Sequence, residues 1–518
     1  MRKEKSIINA TTAIISNAIT LLLGFILQRS FINTLGDEFL GLNSIFNNVI
    51  SMLSIAELGI GTAIIYSLYK PLYNDNKEEI KSLLMFYKRT YNIIAIVVFT
   101  ISLILMPFIP KIVNTNLNIN VYLVFLLFII DIIFSYLLSY KRSILQADQR
   151  GYVISIIHIV YTICLNVCLG LILYLTKDYY LYLFIKCIWR LIENIAISIY
   201  VDKTYPYIKG NATKLDDEIH KSIIQKVRGL IFHKIGSFIV LGTDNLIISH
   251  YLGNIVVAYY SNYYLITSAA STLLSQVFSA ITPSVGNLLV EENKEKNYNL
   301  FKKIMFSNFW IYCFASVGIF TCMSSFISLW VGSERVLSIG VLAIITINFY
   351  MMGMRSSIGI FKDAAGIFYE DRFIPIIESV FNILFSIILV NYFGLAGVFI
   401  GTFLSSLIVV FYSLPYFVFK RLFNTKISNY YRLYLMYFGL TLLFSCLTKF
   451  LLDFIVNILA LNSSLIIFVL GVIISILIPN FLNIIIFKSS EEYKYFYFLV
   501  KTIINNVKRH LVICQDKN

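Results

Sequence analysis

About fourteen apolar stretches, each long enough to cross a bilayer, run through this chain of 518 residues, and charged side chains stand inside several of them. Roughly twenty apolar residues are needed to span ~30 Å of hydrocarbon as a helix. A charge placed inside such a span is costly, so it faces a protein interior, a water-filled cavity or a partner. The pattern predicts an all-α polytopic membrane protein with a polar path through it. The expected spans lie at 7–31, 39–69, 83–110, 121–140, 152–175, 181–201, 229–252, 255–290, 304–331, 337–360, 373–393, 395–419, 433–455 and 464–487. The basic start, Met1 to Lys5, is followed by no small-residue cleavage site, so the first apolar run reads as a retained span and not a signal peptide.

Lysine and arginine set the orientation. With both termini cytoplasmic, 34 of the 42 Lys and Arg residues fall in inside segments. Only Lys111, Lys177, Arg335 and Lys449 fall outside, and Arg29, Lys186, Arg190 and Arg355 fall within spans. This asymmetry obeys the positive-inside rule. It also accounts for the net charge of +14 through topology and contact with anionic lipid, without a nucleic-acid partner.

Several chemistries lack their residues. The seven cysteines contain no CxxC and form no Cys/His cluster, so neither a disulfide framework nor a metal site is expected. No GxxxxGK[ST], HExxH or GxSxG is present. The longest non-membrane pieces, 202–228 and 488–518, are too short for a nucleotide-binding domain. No cofactor and no catalytic residue is expected, and the chain is read as not an enzyme.

The chain matches itself at an offset of 217 residues. Over 35–78, 12 of 44 positions are identical, among them Leu35/Leu252, Gly36/Gly253, Ser44/Ser261, Asn76/Asn293, Lys77/Lys294 and Glu78/Glu295. Six spans separate the copies. Six is even, so the repeat is parallel, the kind that builds transporters from two bundles around a site near the bilayer midplane. The alternative is that both loops are similar polar connectors. Between the halves, Thr213 and Asp216 have capping-box spacing. Ile219, Ile223, Ile224, Val227 and Ile231 then form one stripe, which reads as a cytoplasmic, interfacial amphipathic helix.

The intramembrane charges are the candidate site. Arg29 lies near the end of the first span, Glu57 deep in the second, Asp131 in the fourth, Asp244 in the seventh, Arg355 in the tenth and Glu378 in the eleventh. Lys186, Arg190 and Glu193 share one face of the sixth at spacings of four and three. Arg29 could instead snorkel to the interface, and Arg190 with Glu193 could be a structural ion pair. Glu378 begins a polar face with Asn382 and Ser386, which could also serve helix packing. Arginine and lysine suit phosphate or diphosphate oxygens. Buried carboxylates such as Glu57 and Asp244 could couple movement to protons.

The segments "TLGDEFLGLNSIFNNVISMLSIAELGIGTAIIYSLYKPL", "ILQADQRGYV", "GTDNLIISHYLG" and "FKDAAGIFYEDRFIPIIESVFNILFSIILVNYFGLAGVFIGT" resemble Wzx-type oligosaccharide flippases. These belong to the multidrug/oligosaccharidyl-lipid/polysaccharide exporter superfamily. The resemblance covers about 1–425 and implies two six-helix lobes with two extra C-terminal helices. The implied division is 1–208, a linker at 209–228, 229–425, and 426–518 with two helices and a tail. It implies alternating access and movement of undecaprenyl-diphosphate-linked repeat units to the outer leaflet, for capsule, exopolysaccharide or O-antigen. Arg29, Glu57, Asp244 and Glu378 fall on family-like motifs, whereas Lys186 and Arg355 rest on intramembrane location. On this reading Arg29, Lys186, Arg190 and Arg355 bind substrate, and Glu57, Asp244 and Glu378 couple or gate. Coupling to a proton or sodium gradient is open. Expected partners are the lipid-linked oligosaccharide, membrane lipids, a polysaccharide polymerase and glycosyltransferases, with no nucleic acid. The place is the bacterial plasma (inner) membrane.

Within the superfamily the alternatives are a drug/cation antiporter, which intramembrane cations disfavour, and a peptidoglycan-precursor flippase. A membrane glycosyltransferase would need large outer loops with catalytic acids, and the outer connectors here are short.

Overall fold

The computed structural model describes residues 2–54, 60–113, 115, 117–210, 215, 221, 223, 242–279, 281–291, 293–367, 370–498 and 500–501. All regular structure among them is helical. Nine helices among the described residues have the length and hydropathy to cross a membrane. A bent pair, Val121–Tyr136 and Tyr140–Ala147, meets at 43° and makes a tenth if taken as one span. The all-α polytopic expectation therefore holds. The Tyr179–Thr204 helix is long enough, at 26 residues, but is not among the nine. Any window of 18 residues within it carries at least three charged side chains, drawn from Lys186, Arg190, Glu193, Asp202 and Lys203.

Two compact units divide the chain. One comprises Met1–Ser261 with Pro375–Val398, the other Asn262–Ile374 with Phe399–Asn518. In the first, the Arg2–Leu35 helix packs along Gly151–Leu175. Val121–Tyr136 and Gly151–Leu175 both pack on Tyr179–Thr204. Asn9 ties the first pair by donating to the Gln149 carbonyl at 3.0 Å and accepting from Tyr152 N at 2.7 Å. Towards the other end of that helix, Phe31 meets the Tyr182 ring edge-on at 5.2 Å.

The helix Ile374–Phe393 turns at Gly394 into the helix Leu395–Ser405. Glu378, Asn382 and Ser386 are all buried, so the face read from their spacing is an inward one. Ser386 Oγ donates to the Val398 carbonyl at 3.0 Å across the turn. A Cβ on Gly397 would lie 2.1 Å from the Leu389 carbonyl oxygen, so only glycine lets these backbones meet.

In the second unit, Lys294–Trp330 packs against Ile339–Ala364, Ser428–Ile458 and Ser464–Phe487. Its core is aromatic: Phe309 stacks on Tyr437 at 4.2 Å, and Phe301 meets Phe361 edge-on at 5.4 Å. Aromatic pairs add roughly 0.5–1.5 kcal/mol beyond area burial, which helps where lipid removes the hydrophobic drive between helices. Trp310 Nε1 donates to Asn480 Oδ1 at 2.8 Å.

The 217-residue repeat has a structural counterpart. Gly36 (φ 92°, ψ 175°) and Gly253 (φ 90°, ψ 165°) hold the same left-handed conformation. Asn76 Oδ1 caps its helix by accepting from Glu79 N, and Asn293 Oδ1 accepts from Lys296 N in the same way. The Ser44 and Ser261 hydroxyls hydrogen-bond to each other over 2.7 Å. Nearby, a Cβ on Gly41 would stand 2.0 Å from the Asn254 carbonyl oxygen.

Two expectations change. Of the second span, expected at 39–69, Asp37–Leu53 and Ile60–Tyr73 are helical and 55–59 lie outside the described residues. The expected eighth, 255–290, comprises Asn254–Ser279 and Thr282–Glu291. The segment 141–150, read as a cytoplasmic loop, is largely the Tyr140–Ala147 helix, and its bases are paired within the unit. The linker capping box and most of its stripe lie outside the described residues. Of that segment, Lys221 is exposed and Ile223 is buried.

Candidate substrate site in the first unit

Four helices of the first unit contribute to one network of charges. Asp131 comes from Val121–Tyr136, Arg142 from Tyr140–Ala147 and His158 from Gly151–Leu175. Lys186, Arg190 and Glu193 come from Tyr179–Thr204. The i, i+4 and i, i+3 spacings place these last three on one helix face, as read from the sequence.

Glu193 is the centre, its side chain only 1% exposed. His158 Nδ1 lies 2.9 Å from its Oε1. Arg142 Nη2 lies 3.2 Å, and Arg190 Nη1 3.8 Å, from its Oε2. Arg142 also donates to Asn194 Oδ1 at 2.7 Å, and Asn194 donates to the Phe134 carbonyl at 2.6 Å. A carboxylate this deep is tolerated because several donors surround it.

Asp131 is held differently. Arg190 Nε is 3.5 Å from its Oδ1, and Lys186 Nζ is 3.8 Å from its Oδ2. Both distances exceed the ~2.7–2.9 Å of a charge-assisted hydrogen bond. Among the described residues, Asp131 Oδ1 and Arg190 Nε are buried without a hydrogen-bond partner, as are Glu193 Oε2 and Arg142 Nε, so the two carboxylates differ in the distance and number of their cations and in exposure. Lys186 also stands 5.2 Å from the Phe128 ring centre. The Arg190–Glu193 pair thus exists, yet it is the loosest contact Glu193 makes. Three permanent cations, Arg142, Lys186 and Arg190, face two carboxylates, Asp131 and Glu193. The pocket of charge is net cationic and can hold an anion.

Beside this cluster, the Lys141 ammonium lies 2.6 Å from Asp202 and donates to Ser198 Oγ at 2.7 Å. Beyond the helix end, Tyr205 donates to Asp148 Oδ2 at 2.6 Å, and Arg150 Nε pairs with the same oxygen at 2.8 Å. Burial first, then the bond to Asp148 and its charge, hold the Tyr205 phenol above its ordinary pKa of 10.0.

The structure brings Lys186 and Arg190 together but does not gather all the candidates. Arg29 is exposed on the first helix. Arg355 is half-buried in the second unit, within electrostatic reach of Tyr430 and Tyr434. Glu57 lies outside the described residues. Asp244 opens the helix Asp244–Leu252, and its Oδ1 is buried with no hydrogen-bond partner among the described residues. Glu378 is buried on the polar face of the Ile374–Phe393 helix. Sequence reasoning missed Arg142 and His158. The signal for Arg142 was its place at the end of an apolar span that carries Asp131. A lone histidine gave none.

Residues 6–289 match the family described as polysaccharide biosynthesis protein. A comparison with curated proteins finds no match. Among solved structures, an inward-facing multidrug resistance MATE family transporter of the MOP superfamily is similar at a TM-score of 0.63 and 16% identity. The match covers 78% of this chain and 97% of that one. The lipid II flippase MurJ, in an inward closed conformation, is similar at a TM-score of 0.62 and 16% identity, over 92% of this chain and 99% of that one. A MOP superfamily transporter from Pyrococcus furiosus, titled for the reverse polarity of its binding pocket, aligns at a TM-score of 0.53 and 15% identity. Its match covers 78% of this chain and 93% of that one. The chain therefore has the fold of these transporters, and by the match over more than half its length it belongs to the polysaccharide biosynthesis protein family.

Proposed function

We propose that this multi-pass membrane protein is a flippase. It moves undecaprenyl-diphosphate-linked oligosaccharide repeat units from the cytoplasmic to the outer leaflet for capsule, exopolysaccharide or O-antigen assembly. The observation that carries the reading is the net cationic cluster of Arg142, Lys186 and Arg190 inside the membrane helices of a polysaccharide biosynthesis family member. Diphosphate oxygens are the ligands such donors suit. Arg29 and Arg355 extend the path. Glu57, Asp244 and Glu378 serve coupling or gating, driven by a proton or sodium gradient. The protein acts without chemical catalysis or a resident cofactor, in the bacterial plasma membrane with both termini cytoplasmic. Glycosyltransferases feed it and a polymerase receives its product. The two lobes implied by the resemblance rock to give alternating access.

The test is a deletion strain. Lipid-linked repeat units should accumulate on the cytoplasmic side and clear on complementation. Stable Lys186→Ala and Arg190→Ala proteins should restore export poorly. Absence of accumulation would overturn the reading. A second reading, a peptidoglycan-precursor flippase, is favoured by one observation: the match to the lipid II flippase spans 92% of the chain, against 78% for the multidrug transporter. Complementation of a lipid II flippase deficiency separates the two.

A further inference from the structure

We infer that Asp131 is a built-in competitor for the substrate anion. It occupies the Lys186/Arg190 pair when the site is empty and is displaced by a diphosphate. This deepens the flippase reading and rests on it. The argument begins with unequal grips on two carboxylates. Glu193 Oε1 is hydrogen-bonded with His158 at 2.9 Å; its Oε2 has no hydrogen-bond partner among the described residues but stands 3.2 Å from Arg142, and the side chain is 1% exposed. Asp131 is approached by two cations at 3.5 and 3.8 Å, with no hydrogen bond to Oδ1 among the described residues.

The cause is geometric. Lys186 and Arg190 stand one turn apart on their helix, with about 5–6 Å between their Cβ atoms. A single aspartate on a short side chain, reaching from the neighbouring helix, sits between both bases and closes on neither. It screens two charges at small cost in ordering, and it leaves most of their donors unspent. Arg190 Nε, buried and without a hydrogen-bond partner among the described residues, is one of those donors. Asp131 itself is 15% exposed, against 1% for Glu193, so it can yield to solvent when displaced.

An anion with two phosphoryl groups has the reach that Asp131 lacks. One group can meet the Lys186 ammonium and the other the Arg190 fork, while Glu193, 3.8 Å from Arg190, stays with Arg142 and His158. A monophosphate would satisfy only one of the two. When the diphosphate leaves, Asp131 returns and neutralises the bases, so release needs no naked cations in the membrane. The carboxylate therefore lowers affinity and speeds turnover, which a carrier needs more than tight binding.

The experiment uses the purified full-length protein in nanodiscs, with binding measured calorimetrically for sodium pyrophosphate, orthophosphate and a short-chain polyprenyl diphosphate. The wild type should bind pyrophosphate more tightly than orthophosphate, and the polyprenyl diphosphate should compete with it. Asp131→Asn should tighten pyrophosphate about tenfold, the scale of one charge-assisted contact, while slowing export. Asp131→Glu, whose longer chain can close on the bases, should weaken binding instead and guards against a misfolded Asn variant. Unchanged or weaker pyrophosphate binding by a folded Asp131→Asn protein overturns the competitor. Pyrophosphate binding that the polyprenyl diphosphate does not displace overturns the assignment of the lipid-linked form. Neither result touches the flippase reading, which falls separately if Lys186→Ala and Arg190→Ala proteins export normally.

Discussion

Ser44 and Ser261 stand 217 residues apart in the chain, occupy equivalent places in its internal repeat, and hydrogen-bond to each other over 2.7 Å. Equivalent positions of two copies meet only where a symmetry axis passes between them. The neighbouring approach of Gly41 to the Asn254 carbonyl brings the backbones together at the same seam. A Ser44→Cys/Ser261→Cys protein on a background without the native cysteines should therefore cross-link readily under mild oxidation. On the proposed alternating-access cycle, which changes the packing at this axis, export should stop on cross-linking and return with reductant. Efficient cross-linking with undiminished export would show that the seam stays shut throughout the cycle.

Gly41→Ala should be severe. Its Cβ would meet a backbone carbonyl at 2.0 Å, and backbone cannot swing aside as a side chain does. Overpacking of this kind costs about 1–3 kcal/mol or more. The melting temperature should fall, and an Asn254→Ala change should not restore it, since the obstructing atom is main chain.

Glu193 should matter for folding more than for transport. It is buried among three bases, so Glu193→Ala strands Arg142 without its acid and leaves Arg190 only Asp131. Breaking a buried pair in this way costs about 3–5 kcal/mol. Protein level and melting temperature should drop well before export per folded molecule does. Glu193→Gln, which keeps some hydrogen bonding, should fall between. A stable Glu193→Ala protein with lost export would move this residue from scaffold to substrate path.

Tyr205 gives an alkaline signature outside the membrane helices. Its phenol is held protonated by burial and by the Asp148 carboxylate, so the folded chain binds that proton more tightly than the unfolded one. The contribution is complete below about pH 10 and is lost as pH rises through the raised folded value. Tyr205→Phe should lower stability by about 1.5 kcal/mol near neutrality and remove this part of the alkaline sensitivity. Thermal unfolding at neutral and alkaline pH reads both effects. An unchanged alkaline profile would mean that another tyrosine dominates.

Orientation is the simplest to check. The Lys and Arg distribution predicts a cytoplasmic side for Cys514 and position 214. Membrane-impermeant thiol reagents applied to intact cells should leave Cys514 and an introduced Lys214→Cys unlabelled. External labelling at either position reverses the topology.

Much of this architecture was legible because lipid imposes length and hydropathy directly on sequence. The Gly151–Leu175 and Ser464–Phe487 helices coincide closely with their apolar runs. The inward face of Glu378, Asn382 and Ser386 was legible because four-residue spacing fixes a helix side. The Lys186–Arg190–Glu193 face was legible for the same reason. What periodicity cannot show is which side chains from different helices converge. Arg142 counted as a loop charge, and nothing local to it indicates that Glu193, 51 positions later, is its partner. His158 has the same difficulty across 35 positions. Arg29 is exposed on its helix, and periodicity does not tell a cavity-facing position near a span end from an outward-facing one.

The charged Tyr179–Thr204 helix also has a consequence for how the protein is made. Each charge at the centre of an isolated span costs about 2.5–3.5 kcal/mol at the translocon, so this segment alone is a poor substrate for insertion. The partners of its charges, Asp131, Arg142 and His158, all precede it in the chain. They have left the ribosome first. The helix can thus enter the bilayer as the last member of a waiting group, its charges already spoken for. Membrane integration of this unit is then ordered by chain position, with the charge network assembling as the price of entry.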